Sequence, residues 1–171
     1  MSNRLVALAF AGITALATDG LATPRVGARL PDFEAVDLAG RRHRSLELVG
    51  RPTLVLAATD VDADLPMRAW GAVTDRRLPA GAGRVVLLAF DLAFFIPSAT
   101  ARSMARDRSP PSLWGNSWFD STGRLRVAAG LPESEVPFAF VLDAEGRVVA
   151  SAHSAVDAPE AEDIWRALEG R

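Results

Sequence analysis

Val136-Pro137-Phe138-Ala139-Phe140-Val141-Leu142-Asp143, running on through Ala144-Glu145-Gly146 into Arg147-Val148-Val149-Ala150-Ser151, is the stretch that decides the architecture. Phe138 to Leu142 is apolar without a break, the composition of a strand covered on both faces. Asp143 to Gly146 supplies a tight turn with glycine at its close, and Arg147 to Ser151 is the returning strand of a hairpin. Toward the N-terminus lie two more runs of the same kind, Thr53 to Thr59 (TLVLAAT) after Gly50-Arg51-Pro52, and Arg84 to Asp91 (RVVLLAFD). Their length and β-branched content predict strands buried on both faces of a parallel or mixed sheet. Between them, Asp60 to Asp64 offers helix N-caps and Pro66 suits a first turn. A helix is expected to about Arg77, ended by Leu78-Pro79-Ala80-Gly81.

The remaining segments fit around that frame. Pro31 to Asp37 and Arg42 to Arg44 read as short strands about a turn at Leu38-Ala39-Gly40. Ser98 opens a helix through Arg108 that Pro110-Pro111 closes. Trp118 to Asp120 is a short strand, and Ser121 can cap a helix ending at Gly130. Ala158 to Leu168 forms a last helix with Ile164, Trp165 and Leu168 on one face. Strands alternating with helices, then a hairpin and a helix, predict an α/β domain of three layers with a central mixed sheet.

The chain has 171 residues, 49% hydrophobic and 23% charged, which suits one globular domain with a real core. Its net charge of −2 provides no broad field for nucleic acid or an anionic membrane. No phosphate-cradling glycine loop, histidine cluster or basic aromatic stripe is present. Residues 1–22 read as a signal peptide: Asn3 and Arg4 precede an uncharged run from Leu5 to Ala17, and small residues allow cleavage after Ala17 or Ala22. The alternatives are a buried N-terminal helix or an uncleaved anchor. As a helix that run would span about 20 Å, short of a bilayer core of about 30 Å. The expectation is therefore an exported protein, periplasmic or extracellular, whose mature domain, residues 23–171, has no membrane span. It contains no cysteine, so the fold stands on packing alone.

Val26-Gly27-Ala28-Arg29-Leu30-Pro31-Asp32-Phe33, then Asp37-Leu38-Ala39-Gly40 and Gly50-Arg51-Pro52-Thr53-Leu54-Val55-Leu56, resembles the entry of the redoxin branch (AhpC/TSA and TlpA-like) of the thioredoxin superfamily. The Val136 to Asp143 stretch with its hairpin is similar to that superfamily's cis-proline loop and third strand. Taken together the two cover nearly the whole mature chain. The resemblance implies a thioredoxin-like fold and a cis peptide at Val136–Pro137, facing a helix start that carries Cys-x-x-Cys in active relatives. The corresponding window here, Thr59 to Pro66 (TDVDADLP), has no thiol, so neither exchange nor peroxidase chemistry carries over. An oxidoreductase by descent would need a partner's thiols. In overall likeness the chain is similar to YtfJ-type periplasmic proteins, thioredoxin-like domains without the redox pair.

What remains is a set of candidate contacts. Asp60, Asp62 and Asp64 alternate at a strand end and could bind a hard cation such as Ca²⁺. Counted as an EF-hand, the loop has Leu65 and Gly71 where Gly and Glu are needed, and capping of a helix start explains the same residues. Trp114 and Trp118 flank a Pro/Gly loop, either as a recognition surface or lying down as core. Phe94 and Phe95 are expected near the C-terminal edge of the sheet, where open α/β sheets bind ligands. With Val136 and Pro137 these make an apolar collar for a protein or peptide partner in the envelope, without a cofactor. His43 among Arg41, Arg42 and Arg44 reads as a solvated edge. His153 beside Ser151, Ser154 and Asp157 suggests a hydrolase triad only remotely, because residues so close in sequence rarely form one.

Overall fold

The computed structural model describes residues 24–91, 96–120 and 122–170. The expected signal peptide, Phe94, Phe95 and the cap expected at Ser121 lie outside them. Seven strands form one mixed sheet: β1 (Glu34–Asp37), β2 (Arg42–Arg44), β3 (Thr53–Ala58), β4 (Gly83–Ala89), β5 (Ser117–Asp120), β6 (Phe138–Leu142) and β7 (Val148–His153). Their spatial order is β2-β1-β5-β4-β3-β6-β7. The central three, β5, β4 and β3, are parallel, and the pairs on either side are antiparallel. Among the described residues four α-helices accompany them: α1 (Asp64–Arg77), α2 (Ser98–Asp107), α3 (Arg124–Ala128) and α4 (Ala161–Leu168).

All of Thr53 to Ala58 is buried, as the continuous run in β3 predicts. One face of the sheet packs Val55, Ala57, Leu87 and Phe140 against Leu125 of α3 and Leu131. On the other, Leu54, Leu56, Ala139 and Val141 lie under Trp70 of α1 and Ile164 and Trp165 of α4. Here the 3.6-residue spacing of Ile164, Trp165 and Leu168 does what an amphipathic stripe should: it buries all three. The Trp70 and Trp165 rings lie 5.8 Å apart, and the Trp70 indole N–H donates to the Ser154 carbonyl at 3.1 Å, leaving no polar atom of that ring stranded.

The hairpin from β6 to β7 closes as expected. Gly146 has φ of 77°, which favours glycine, and a Cβ there would meet Val49 Cγ2 at 3.0 Å. Asp143 Oδ1 accepts the backbone N–H groups of Glu145 and Arg147, fixing the turn. At the start of α3 the capping carboxylate is that of Asp120, whose Oδ2 accepts the Leu125 N–H at 2.8 Å while Oδ1 accepts from Thr122.

β4 departs from expectation. Val85, Leu87 and Ala89 are buried, but the alternate residues Arg84, Val86 and Leu88 are only half-buried. The strand has the composition of one covered on both sides, yet α2 stands off its second face. Of α2 only Ala101 is buried, and the helix is tied down by Arg106, which donates from Nε to the Leu38 carbonyl.

Candidate functional site

The C-terminal ends of the parallel strands form one pole of the domain. Thr59, buried just past β3, accepts the Ser134 N–H at 3.0 Å and donates its hydroxyl proton to the Pro132 carbonyl at 2.8 Å. It thereby pins the loop before β6 to the end of β3. The Val136–Pro137 bond is trans, where the resemblance implied cis. Ser134 Oγ accepts the Val136 N–H at 3.0 Å, so the loop is held in its course without a cis bond, and trans is the lower form by about 0.5–1 kcal/mol. Three apolar side chains stand exposed around this pole: Val61 at 50%, Leu65 at 77% and Val136 at 38%.

The aspartates here organise backbone. Asp60 Oδ1 accepts the Asp62 N–H at 2.8 Å and caps the turn Val61–Ala63, while Asp64 pairs with Arg68 at 2.9 Å. Among the described residues no three His, Asp or Glu side chains are grouped to hold a metal ion. His153 does not meet the serines next to it in sequence. Its Nε2 is 2.9 Å from Ser134 Oγ, and its ring stacks on Phe138 at 4.0 Å. The hydroxyls of Ser151 and Ser154 are buried without a hydrogen-bond partner. The local Ser–His–Asp arrangement is therefore not formed.

Beside this pole a groove of about 490 Å³ opens between α1 and α2. Leu56, Val86, Leu88 and Phe119 floor it, Met67 and Gly71 of α1 form one wall, and Met104 and Ala105 of α2 form the other. It runs along the strands, from Asp60 and Phe90 at the pole to Arg84 and Arg108 at the far edge. Gly71 sits inside a helix, where glycine costs about 1 kcal/mol relative to alanine, yet an added Cβ would meet nothing within 4 Å. Neither sterics nor backbone conformation requires glycine there.

Comparison with solved structures decides the fold family. The exposed lipoprotein thioredoxin Etrx1 of Streptococcus pneumoniae superposes with a TM-score of 0.59 at 13% identity, over 82% of this chain and 100% of that one. The thiol peroxidase of Chromobacterium violaceum gives 0.58 at 22%, over 87% and 88%. Peroxidoxin BcpB of Mycobacterium tuberculosis gives 0.58 at 18%, over 85% and 96%. The fold is thioredoxin-like. No protein-family model matches the sequence, and no curated protein is similar to it. This thioredoxin-like chain contains no cysteine, so its pole holds no thiol nucleophile of its own.

The other sequence candidates fall elsewhere on the thioredoxin-like frame. Trp114 precedes β5 and so lies at the sheet edge opposite the pole, apart from Asp60 and Val136. It lies down half-buried, its indole N–H donating to the Ser109 carbonyl at 3.0 Å and the Arg106 guanidinium 5.3 Å from its ring centroid. Trp118 is core, stacked at 4.6 Å on His43. That contact overturns the solvated-edge reading of His43, whose side chain is only 11% exposed. Its Nε2 is 2.9 Å from Asp37 Oδ2 and its Nδ1 is 2.7 Å from Glu47 Oε2. Burial works to lower the His43 pKa, but hydrogen bonds to Asp37 and Glu47 and their charges outweigh it and raise it. Asp37 is fully buried. Burial works to raise its pKa, and bonds from His43 and from the backbone and side chain of Arg41 prevail and lower it. Sequence reasoning missed this clamp; the i,i+4 spacings of Asp37 with Arg41 and of His43 with Glu47 were its local signs.

Proposed function

We propose that this is a binding domain of the cell envelope, redox-inactive by itself, that holds a polypeptide at the pole where its fold relatives act on thiols. The observation that carries the reading is the exposure of Val61, Leu65 and Val136 around a pole whose backbone is pinned by Thr59 and Ser134. Exposed apolar side chains clustered on a rigid frame are the ordinary footprint of a docking surface. Export rests on the uncharged run at residues 5–17 and accords with the pneumococcal fold relative's being an exposed lipoprotein.

The test is site-specific photo-crosslinking in the native envelope, with the crosslinker at Leu65 or Val136 and, as control, at Val127. Val127 is as exposed as Leu65, at 73%, but sits on α3, across the sheet. One discrete polypeptide captured from Leu65 and Val136 and absent from Val127 supports the reading. The same capture from all three positions refutes it. Insulin reduction and peroxide consumption by the purified protein should both be nil, and thiol-dependent turnover would overturn the redox-inactive half of the proposal.

A further inference from the structure

We propose that the groove between α1 and α2 binds a single aliphatic chain ending in a carboxylate, that is, a fatty acid. The inference goes beyond the docking of a polypeptide at the pole and does not depend on it. Its first support is β4. Val86 and Leu88 belong to a continuous apolar run of the kind found in strands covered on both faces, and they lie half-buried on the groove floor. A volume of about 490 Å³ falls within the range of ligand pockets, about 300–1,000 Å³. The second support is Gly71, a mid-helix glycine whose missing side chain leaves open space and not a close contact.

The chemistry of the lining selects the occupant. The floor is made of side chains from interior strands and offers no free backbone edge, so an extended peptide would bury N–H and C=O groups without partners. A helix, about 10–12 Å across with its side chains, would fill the volume with little more than one turn. An alkyl chain has neither difficulty. From Arg84 to Phe90 the floor extends about 20 Å at about 3.3 Å per residue, enough for a long acyl chain laid along the strands.

Charge sets the direction of that chain. Arg68 and Arg84 already pair with Asp64 and Asp75. Arg108, at the far end of the groove, has no ion-pair partner among the described residues, while Asp60 and Asp64 line the pole end. A carboxylate therefore belongs at Arg108, with the chain terminus toward Phe90 and Ile96.

The experiment is calorimetric titration of the delipidated protein with decanoate, laurate and dodecanol, each below its micellar or solubility limit. Laurate should bind one to one and about tenfold more tightly than decanoate, the gain expected for two buried methylenes. Arg108→Gln should weaken laurate about threefold to fivefold and leave dodecanol unchanged. Gly71→Leu, which fills the groove from a position where a side chain meets open space, should abolish all three while the melting temperature holds or rises. The proposal is overturned if delipidated wild type binds no laurate, or if Gly71→Leu binds it as well as wild type does. It is equally overturned if laurate fails to bind while Gly71→Leu turns a dimer into a monomer in size-exclusion chromatography, which would assign the groove to a second copy of the chain.

Discussion

α1 has two neighbours on the same face of the sheet, and it meets them in opposite ways. Toward α4 the space is filled: Trp70, Ile164, Trp165 and Leu168 interdigitate over Leu54, Leu56 and Val141, all buried. Toward α2 the space is the groove, and that half is held by a smaller apolar cluster, Leu38, Ala101 and Phe119, together with polar ties. Arg106 reaches from α2 to the Leu38 carbonyl and lies over Trp114. Just beyond Leu38, Asp37 gathers Arg41 and His43, and His43 in turn holds Glu47. The difference teaches where this fold gets its stability and where it leaves apolar surface uncovered. The side packed by aromatic side chains adds only the surface pair of Arg77 with Glu162 across it, while the side that relies more on ties stays open.

The largest effect should come from the filled side. Trp165→Ala removes a fully buried indole and is expected to cost about 3–5 kcal/mol in urea unfolding. Leu88→Ala on the groove floor removes a side chain already half in water, and should cost about 1 kcal/mol by area burial. Equal losses at the two positions would erase the comparison. On the tied side, His43→Gln should cost about 1–2 kcal/mol, because the buried Asp37 carboxylate loses a charged donor.

The same clamp gives an alkaline limb to the pH profile that the filled side lacks, since the Arg77–Glu162 pair there, with the Glu162 pKa lowered by its hydrogen bond from Arg77, titrates only in acid. The His43 pKa is raised above its ordinary 6.5, so its contribution is fully present below 6.5 and is lost as pH rises through the folded-state value. The Asp37 and Glu47 pKa values are lowered from 3.8 and 4.5, so theirs is present above those values and lost as pH falls through the folded-state ones. The β1–β2 end of the sheet is thus held best between about pH 4.5 and 6.5. Unfolding free energy should fall above that window in wild type and much less in His43→Gln. A slope unchanged by the substitution would remove His43 as its source.

The halves also differ in how legible they were. β3, β6 and the hairpin at Asp143 to Gly146 could be read directly, because continuous apolar runs and a turn glycine state their environment locally. Ile164, Trp165 and Leu168 declared their face by spacing alone. β4 misled, since its run RVVLLAF says that both faces are apolar and says nothing of whether a helix covers both. His43 misled for a related reason. Three flanking arginines suggested solvent, while Asp37 approaches across the β1–β2 turn and Trp118 arrives only through the β1–β5 pairing, which no local window contains. At the pole, the tie between Thr59 and Ser134 could not be read at all, because the two are 75 residues apart in sequence. Trp114 was misassigned because a loop before a strand and a loop after one look alike in composition and lie at opposite edges of the sheet.

The smallest expected effect is also the most direct probe of the open side. Gly71→Ala adds one methyl group to the middle of α1, at a point where nothing lies within 4 Å. On the open side the only change is in helix propensity, so the variant should gain about 0.5–1 kcal/mol in urea unfolding. Gly83→Ala, at the start of β4, is the contrasting case. Its new Cβ would stand 2.8 Å from Thr53 Oγ1 and 3.0 Å from Arg51 Nε, so neighbours must shift and stability should fall. A loss at Gly71 would mean that α2 closes onto α1 in solution and that the groove is narrower than its walls here imply. A gain there with a loss at Gly83 would mean that the wall of α1 is bare as drawn, and that glycine at 71 serves whatever lies against it rather than the fold.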